Sequence, residues 1–138
     1  MEVINVLTKK SKMINGVRKR FDLQVTVENG TVSQTFELEK SIVALKGLLM
    51  ASNMDDMLYF RGSQRIEINR EEIFHEGYES KLLMSGINCP PNKRLYDLNK
   101  MPPGNGQIKI DFVDTDDGRT TFTPYRVSLY LDCIMTAE

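Results

Sequence analysis

Between Tyr125 and Cys133 the odd positions are apolar or aromatic (Tyr125, Val127, Leu129, Leu131, Cys133) and the even positions carry polar groups (Arg126, Ser128, Tyr130, Asp132). Successive side chains of a strand point to opposite faces, so a period of two fits a half-buried β-strand and does not fit a helix. The same period runs through Phe21, Leu23, Val25 and Val27, set against Asp22, Gln24, Thr26 and Glu28, and again through Ile108, Ile110 and Phe112. A chain patterned this way near both ends has to build sheets and bury one face of each.

The punctuation between these runs sets the strand count. Asn29-Gly30 suits a type I′ turn, whose two central residues both need positive φ, and residues 20–38 therefore read as a β-hairpin. Residues 40–51 contain Ile42-Val43-Ala44-Leu45 and Leu48-Leu49-Met50-Ala51, which suit a buried helix or a strand covered on both faces. Gly47 disfavours the helix, and the strand is the expectation. Ser52 to Asp56 reads as a turn, and Met57-Leu58-Tyr59-Phe60 as the returning strand, closed by Gly62. Arg65 to Ile68 alternates, Asn69 to Glu72 breaks, and Tyr78 to Met84 is a further strand. Cys89-Pro90-Pro91-Asn92 belongs to a loop, because proline lacks the ladder donor. Leu95 to Leu98 is short and apolar enough to pair, Met101 to Gly106 is irregular, and Asp114 to Gly118 is a turn. Eight or nine strands with turns every ten to fifteen residues are the rhythm of a sandwich, jelly roll or small barrel. The expected fold is all-β: an antiparallel β-sandwich of about eight strands, a single jelly roll. It forms one domain over residues 1–138, with 1–20 as a basic strand or arm.

A chain of 138 residues can bury a core without a staple. Its two cysteines, Cys89 and Cys133, form no CxxC pair and read as free thiols. No apolar run approaches the length of a membrane span. At the N-terminus Val3 to Leu7 precede the lysines, the reverse of a secretory signal, so the protein is expected to stay where it is made.

Catalytic chemistry finds little to stand on. The one histidine, His75, has no spacing that pairs it with either cysteine, and no GxSxG elbow occurs. Asp111, Asp114, Asp116 and Asp117 crowd ahead of Gly118. Hard cations favour such oxygen clusters, which makes Asp114, Asp116 and Asp117 the weak candidates for a calcium site, although the spacing is not that of an EF-hand. Gly104-Asn105-Gly106 matches neither a dinucleotide nor a Walker loop. The expectation is a non-enzyme without a cofactor or small-molecule substrate.

Charge gives a stronger lead. Residues 1–20 carry six of the chain's 18 lysines and arginines but only one of its 19 acids. Lys9, Lys10, Lys12, Arg18, Lys19 and Arg20 are candidates for contact with nucleic acid, an anionic membrane or an acidic partner. No aromatic lies among them, so base stacking is not indicated. Met54, Met57, Tyr59 and Phe60 gather near one turn. Tyr130 and Ile134 sit on the face of the last strand that a lone sheet would turn to water. These six suit packing against copies of the same chain.

The strand rhythm, the segments Tyr59-Phe60-Arg61-Gly62 and Pro124-Tyr125-Arg126-Val127-Ser128-Leu129-Tyr130, and the proline-bearing loops together resemble small β-sandwich virion proteins of phages, the single jelly-roll type of minor capsid or vertex components. The resemblance implies a structural role: a viral subunit that self-assembles, contacts neighbouring capsid proteins, and is assembled into virions in the host cytoplasm. It assigns no role to individual residues. A ligand-binding sandwich for a glycan or protein, with or without calcium, is the alternative. The absence of tryptophan weighs against an aromatic sugar platform.

Overall fold

The alternating segments pair into ladders, and the partners are far apart in the chain. The computed structural model describes residues 12–84 and 95–137. These hold eight strands: β1 (Lys12–Val25), β2 (Thr31–Glu37), β3 (Ile42–Ser52), β4 (Gly62–Ile68), β5 (Glu71–Glu79), β6 (Tyr96–Met101), β7 (Gln107–Asp114) and β8 (Tyr125–Ala137). A short helix, α1 (Asp55–Arg61), and a 3₁₀ turn (Ser80–Leu83) interrupt them. All strand pairings are antiparallel, in two four-stranded sheets ordered β1-β8-β3-β6 and β2-β7-β4-β5. Met84 adds one parallel bridge to Met50.

The order has a simple origin. β1 pairs with β8, β2 with β7, β3 with β6 and β4 with β5. A long antiparallel hairpin rolled up so that successive pairs fall in alternate sheets gives this arrangement, the eight-stranded jelly roll. The expected fold is therefore the observed one.

Inward faces meet between the sheets. Tyr125, Val127, Leu129, Leu131 and Cys133 of β8 are buried, as are Ile66, Ile68, Ile108, Ile110 and Phe112 of the facing sheet. Each such aliphatic or phenyl group contributes about 1.5–3 kcal/mol when taken fully out of water. β3 is flanked by β8 and β6, and Leu45, Leu48, Met50 and also Leu49 are buried. β3 is therefore covered on both faces around Leu49, while Val43 nearer its start is exposed.

Four local expectations need correction. Residues 20–38 are not a hairpin. The Gly30 N–H donates to the Val27 carbonyl at 3.1 Å and only Asn29 takes a positive φ, 56°. The chain then crosses to the other sheet, so β1 pairs with β8 and β2 with β7. The type I′ turn lies elsewhere: Ile68 pairs with Glu71, and the two residues between them, Asn69 and Arg70, have φ of 54° and 65°. The break there is thus two residues long, and Glu71 and Glu72 belong to β5. Tyr78 to Met84 is the end of β5 followed by the 3₁₀ turn.

Finally, Met57 to Phe60 is helical. Asp55 and Asp56 stand in the first turn of α1, where the amide dipoles favour negative charge, and Met57, Leu58 and Arg61 are the buried side. Gly62 ends the helix in a tightly packed place. A Cβ there would lie 2.7 Å from the Ser80 hydroxyl, 2.8 Å from the Leu58 carbonyl and 2.9 Å from the Phe112 ring.

Aromatic contacts fix how the sheets stack. Phe21 of β1 meets Phe36 of β2 with ring centroids 4.9 Å apart, and Phe74 of β5 meets Tyr96 of β6 at 4.7 Å. β1 and β2 thus form one flank of the sandwich, and β5 and β6 form the other.

Candidate interaction surfaces

At the end of the sandwich where α1 turns into β4, one arginine organises the surroundings. The Arg61 side chain is 0% exposed, as is that of Asp114 on β7. Arg61 Nε donates to Asp114 Oδ1 at 3.1 Å and Nη2 to Asp114 Oδ2 at 2.9 Å. Nη2 also reaches Glu28 Oε2 at 3.1 Å, while Nη1 donates to the Thr120 carbonyl at 2.8 Å and to Asp116 Oδ1 at 3.3 Å. All five guanidinium N–H groups thus have an acceptor, and the Phe122 ring lies 5.4 Å from the guanidinium carbon. Asp114 accepts further bonds from the Tyr125 hydroxyl at 2.7 Å and the Asn29 N–H at 3.0 Å.

The pKa values follow from this geometry. Burial pushes the Asp114 carboxyl up, but hydrogen bonds from Arg61, Tyr125 and Asn29 outweigh it and hold the group below the usual carboxylate range. Burial first, and the Asp114 carboxylate second, raise the Tyr125 phenol well above its ordinary value. Arg61 stays charged throughout, its pKa raised chiefly by the hydrogen bonds to Asp114.

The aspartates that looked like a calcium loop are occupied by the chain itself. Asp116 Oδ1 accepts from Arg61 and from the Gly118 N–H, and Asp117 accepts from the N–H groups of Arg119 and Thr120 and from the Thr120 hydroxyl. Among the described residues no three His, Cys, Asp or Glu side chains come together as a metal-binding group. The cation gathered by Asp114 and Asp116 is the chain's own guanidinium. Only the sequence-remote position of Arg61 hid this.

Beside this network α1 presents two large aromatics to solvent. Tyr59 is 47% exposed and Phe60 46%, and their rings stand edge to face at 4.9 Å. Lys81 Nζ lies 5.9 Å from the Tyr59 ring centroid and 3.0 Å from Glu79. Met54 and Leu82 are exposed as well. A cleft of about 540 Å³ opens here, lined by Tyr59, Phe60, Ser63, Lys81, Asp117 and Arg119 among others. Of the six expected interface residues, Met54, Tyr59 and Phe60 share this end. Met57 is buried on the inner side of α1 and belongs to the core. Tyr130 and Ile134 are half-buried and lie on the outer face of the first sheet, opposite Arg20 and Ala44 in the ladder.

The basic segment is only partly within view. Lys9 and Lys10 lie outside the described residues, and Lys12 opens β1. Arg18, Lys19 and Arg20 lie within β1 and are held in ladder register against Asp132, Leu131 and Tyr130. Lys19 pairs with Glu39 at 2.5 Å and Arg20 with Asp22 at 2.8 Å. The Arg20 bond lowers the Asp22 pKa. Arg18 is exposed and has no ion pair among the described residues.

His75 is exposed, with Nδ1 2.9 Å from the Glu76 carbonyl. Cys133 is a free buried thiol whose pKa is pushed up to about 11 by burial and by Asp132, which suppresses the nucleophilic thiolate. Cys89 lies outside the described residues. No described helix is long and apolar enough to cross a membrane. Comparisons with family models, curated proteins and solved structures return no match for this chain.

Proposed function

We propose that this chain is a structural subunit of a viral or phage shell, a jelly roll that associates with copies of itself and with neighbouring shell proteins. On this reading it acts by contact rather than by catalysis, and its place is the virion. The observation that carries the proposal is the exposed aromatic pair on α1. Tyr59 and Phe60 stand nearly half exposed on a domain whose core is otherwise well enclosed, and an exposed aromatic pair of this kind gains most when a second surface covers it. The eight-stranded jelly roll supports the reading as an architecture shared by many capsid subunits, although lectin domains share it too.

Light scattering on a sizing column, across concentration and salt, tests the proposal. A discrete closed oligomer is the expected result, and it weakens when Tyr59 and Phe60 are both replaced by alanine. A monomer at every concentration and salt overturns self-association.

The cleft of about 540 Å³ beside the same aromatics favours one second reading, a module that binds a glycan. Sugar rings stack on exposed aromatic faces, while Ser63 and Arg119 offer polar partners for hydroxyls. Titrating the protein with a panel of neutral and acidic oligosaccharides, followed by amide chemical shifts around Tyr59 and Arg119, separates the two. Shifts confined to the cleft support the glycan reading, and unmoved spectra across the panel remove it.

A further inference from the structure

The outer face of the first sheet holds apolar groups that the core does not use. Side chains alternate along β3. Leu48 and Met50 point between the sheets and join the core, so Leu49 and Ala51 point outward. Leu49 is nevertheless only 5% exposed. On one side it stands opposite Tyr130 of β8, and on the other Met84 bridges to Met50. Leu49, Ala51, Met84 and Tyr130 line a pocket of about 270 Å³. An antiparallel sheet face turned to water ordinarily carries polar groups, and these are the exception on this one.

Arg18 and Asp55 are the charged members of the lining. Both are exposed, and neither has an ion pair among the described residues. The other cations near Arg18 on β1 are satisfied, Lys19 by Glu39 and Arg20 by Asp22. Arg18 makes no ion pair with Asp132, its ladder partner, and lines the pocket instead.

The two charges enter from different directions. Arg18 lies two strands from β3, in the row of Asp132 and Gly47. Asp55 follows the end of β3 at Ser52. From Gly47 to Ala51 the strand advances by about 13 Å. A cation and an anion thus stand at different ends of an apolar floor.

The complement of such a site is a molecule with an apolar body and opposite charges at its ends. A carboxylate takes paired N–H donors from a guanidinium, an ammonium suits the Asp55 carboxylate, and the body displaces water from Leu49 and Ala51. Pockets for drug-sized ligands run from about 300 to 1,000 Å³, so the occupant here is small. A fatty acid would leave Asp55 unanswered and a simple amine would leave Arg18 so. We infer that this pocket binds a short free peptide with apolar side chains, its C-terminal carboxylate at Arg18 and its N-terminal ammonium at Asp55. The inference stands apart from self-association through α1, since it uses neither Tyr59 nor Phe60.

The probe is the dipeptide leucyl-leucine, compared with its N-acetylated form and its C-terminal amide, and the readout is amide chemical shifts. Saturable shifts at Leu49, Ala51, Met84 and Tyr130 are expected with the free dipeptide, and each capped form should bind about tenfold more weakly. Arg18→Gln should weaken the free dipeptide by a similar factor and leave the affinity for the amide unchanged. Asp55→Asn should do the same with respect to the acetylated form. Both positions are exposed, and a melt confirms that each variant is folded. Ala51→Phe, which fills the pocket from its floor, should abolish binding. No saturable shift with the free dipeptide overturns the site. Equal affinity for free and capped forms overturns the roles of Arg18 and Asp55, and undiminished binding in folded Ala51→Phe overturns the location.

Discussion

Charge is used in opposite ways at the α1 end of the sandwich and along its flanks. Arg61 is buried with every N–H engaged, and Asp114 accepts from Arg61, Tyr125 and Asn29 at once. No guanidinium N–H of Arg61 is left over for a partner. Along β1 and β5, Arg18, Glu71 and Glu76 are exposed and have no ion pair among the described residues. Buried, fully partnered charge fixes where loops sit and is strongly missed when one member is removed. Exposed charge contributes little to folding and is free to select what the surface meets. The first kind serves the fold, and the second contributes little to it.

If that division is correct, substitutions at the two places should differ in size and in what they change. The largest loss is expected for Asp114→Ala, which strands a buried guanidinium and should lower unfolding free energy by about 3–5 kcal/mol in a denaturant titration. Arg61→Ala should do similar damage, and the double substitution should cost clearly less than the sum, because both break one network. Tyr125→Phe removes one hydrogen bond to a carboxylate and should cost about 1.5–3 kcal/mol. Gly62→Ala forces a methyl group against Ser80, Leu58 and Phe112 and should cost about 1–3 kcal/mol through overpacking.

Acid offers a separate check on the same network. The folded pKa of Asp114 lies below its unfolded value. Its stabilisation is therefore complete above the ordinary carboxylate pKa of about 4 and is lost as pH falls from there through the folded value. Melting temperature measured against pH should drop in that window, and Asp114→Asn should flatten the drop. The smallest effect on stability belongs to the flanks. Arg18→Glu or Glu76→Lys should move unfolding free energy by no more than about 0.5 kcal/mol. A large stability loss at either residue would erase the distinction between the two regions.

The sequence carried the architecture because alternation reports which side of a strand is buried, and that was enough for the faces of β1, β7 and β8. Alternation says nothing about partners. Phe21 to Val27 and Val32 to Leu38 look like the arms of a hairpin, and only long-range pairing with β7 and β8 separates them. Asn29-Gly30 and Asn69-Arg70 show the same limit for turns. The stronger local signal sits at a crossover, while the true I′ turn has an arginine at its second position, held there by the Ile68–Glu71 register. α1 was illegible because two helical turns are too short for a 3.6-residue period to emerge. Asp55-Asp56 ahead of Met57, Leu58 and Arg61 was the one available sign. At the site, Tyr59, Phe60 and the acidic turn were visible as unusual residues. That the turn encloses Arg61 was not, because 53 residues separate Arg61 from Asp114.

The pairing of β1 with β8 has a consequence in time. β8 is the central strand that links β1 to β3 in its sheet, and it is the last of the eight to leave a ribosome. Until it emerges, β1 has lost its ladder partner and β3 one of its two, and the apolar faces of both stand open. The sheet therefore closes only once β8 has emerged, in the slow regime typical of distant strand pairings. A nascent chain stalled before Tyr125 should be protease-sensitive through β1 and β3 together.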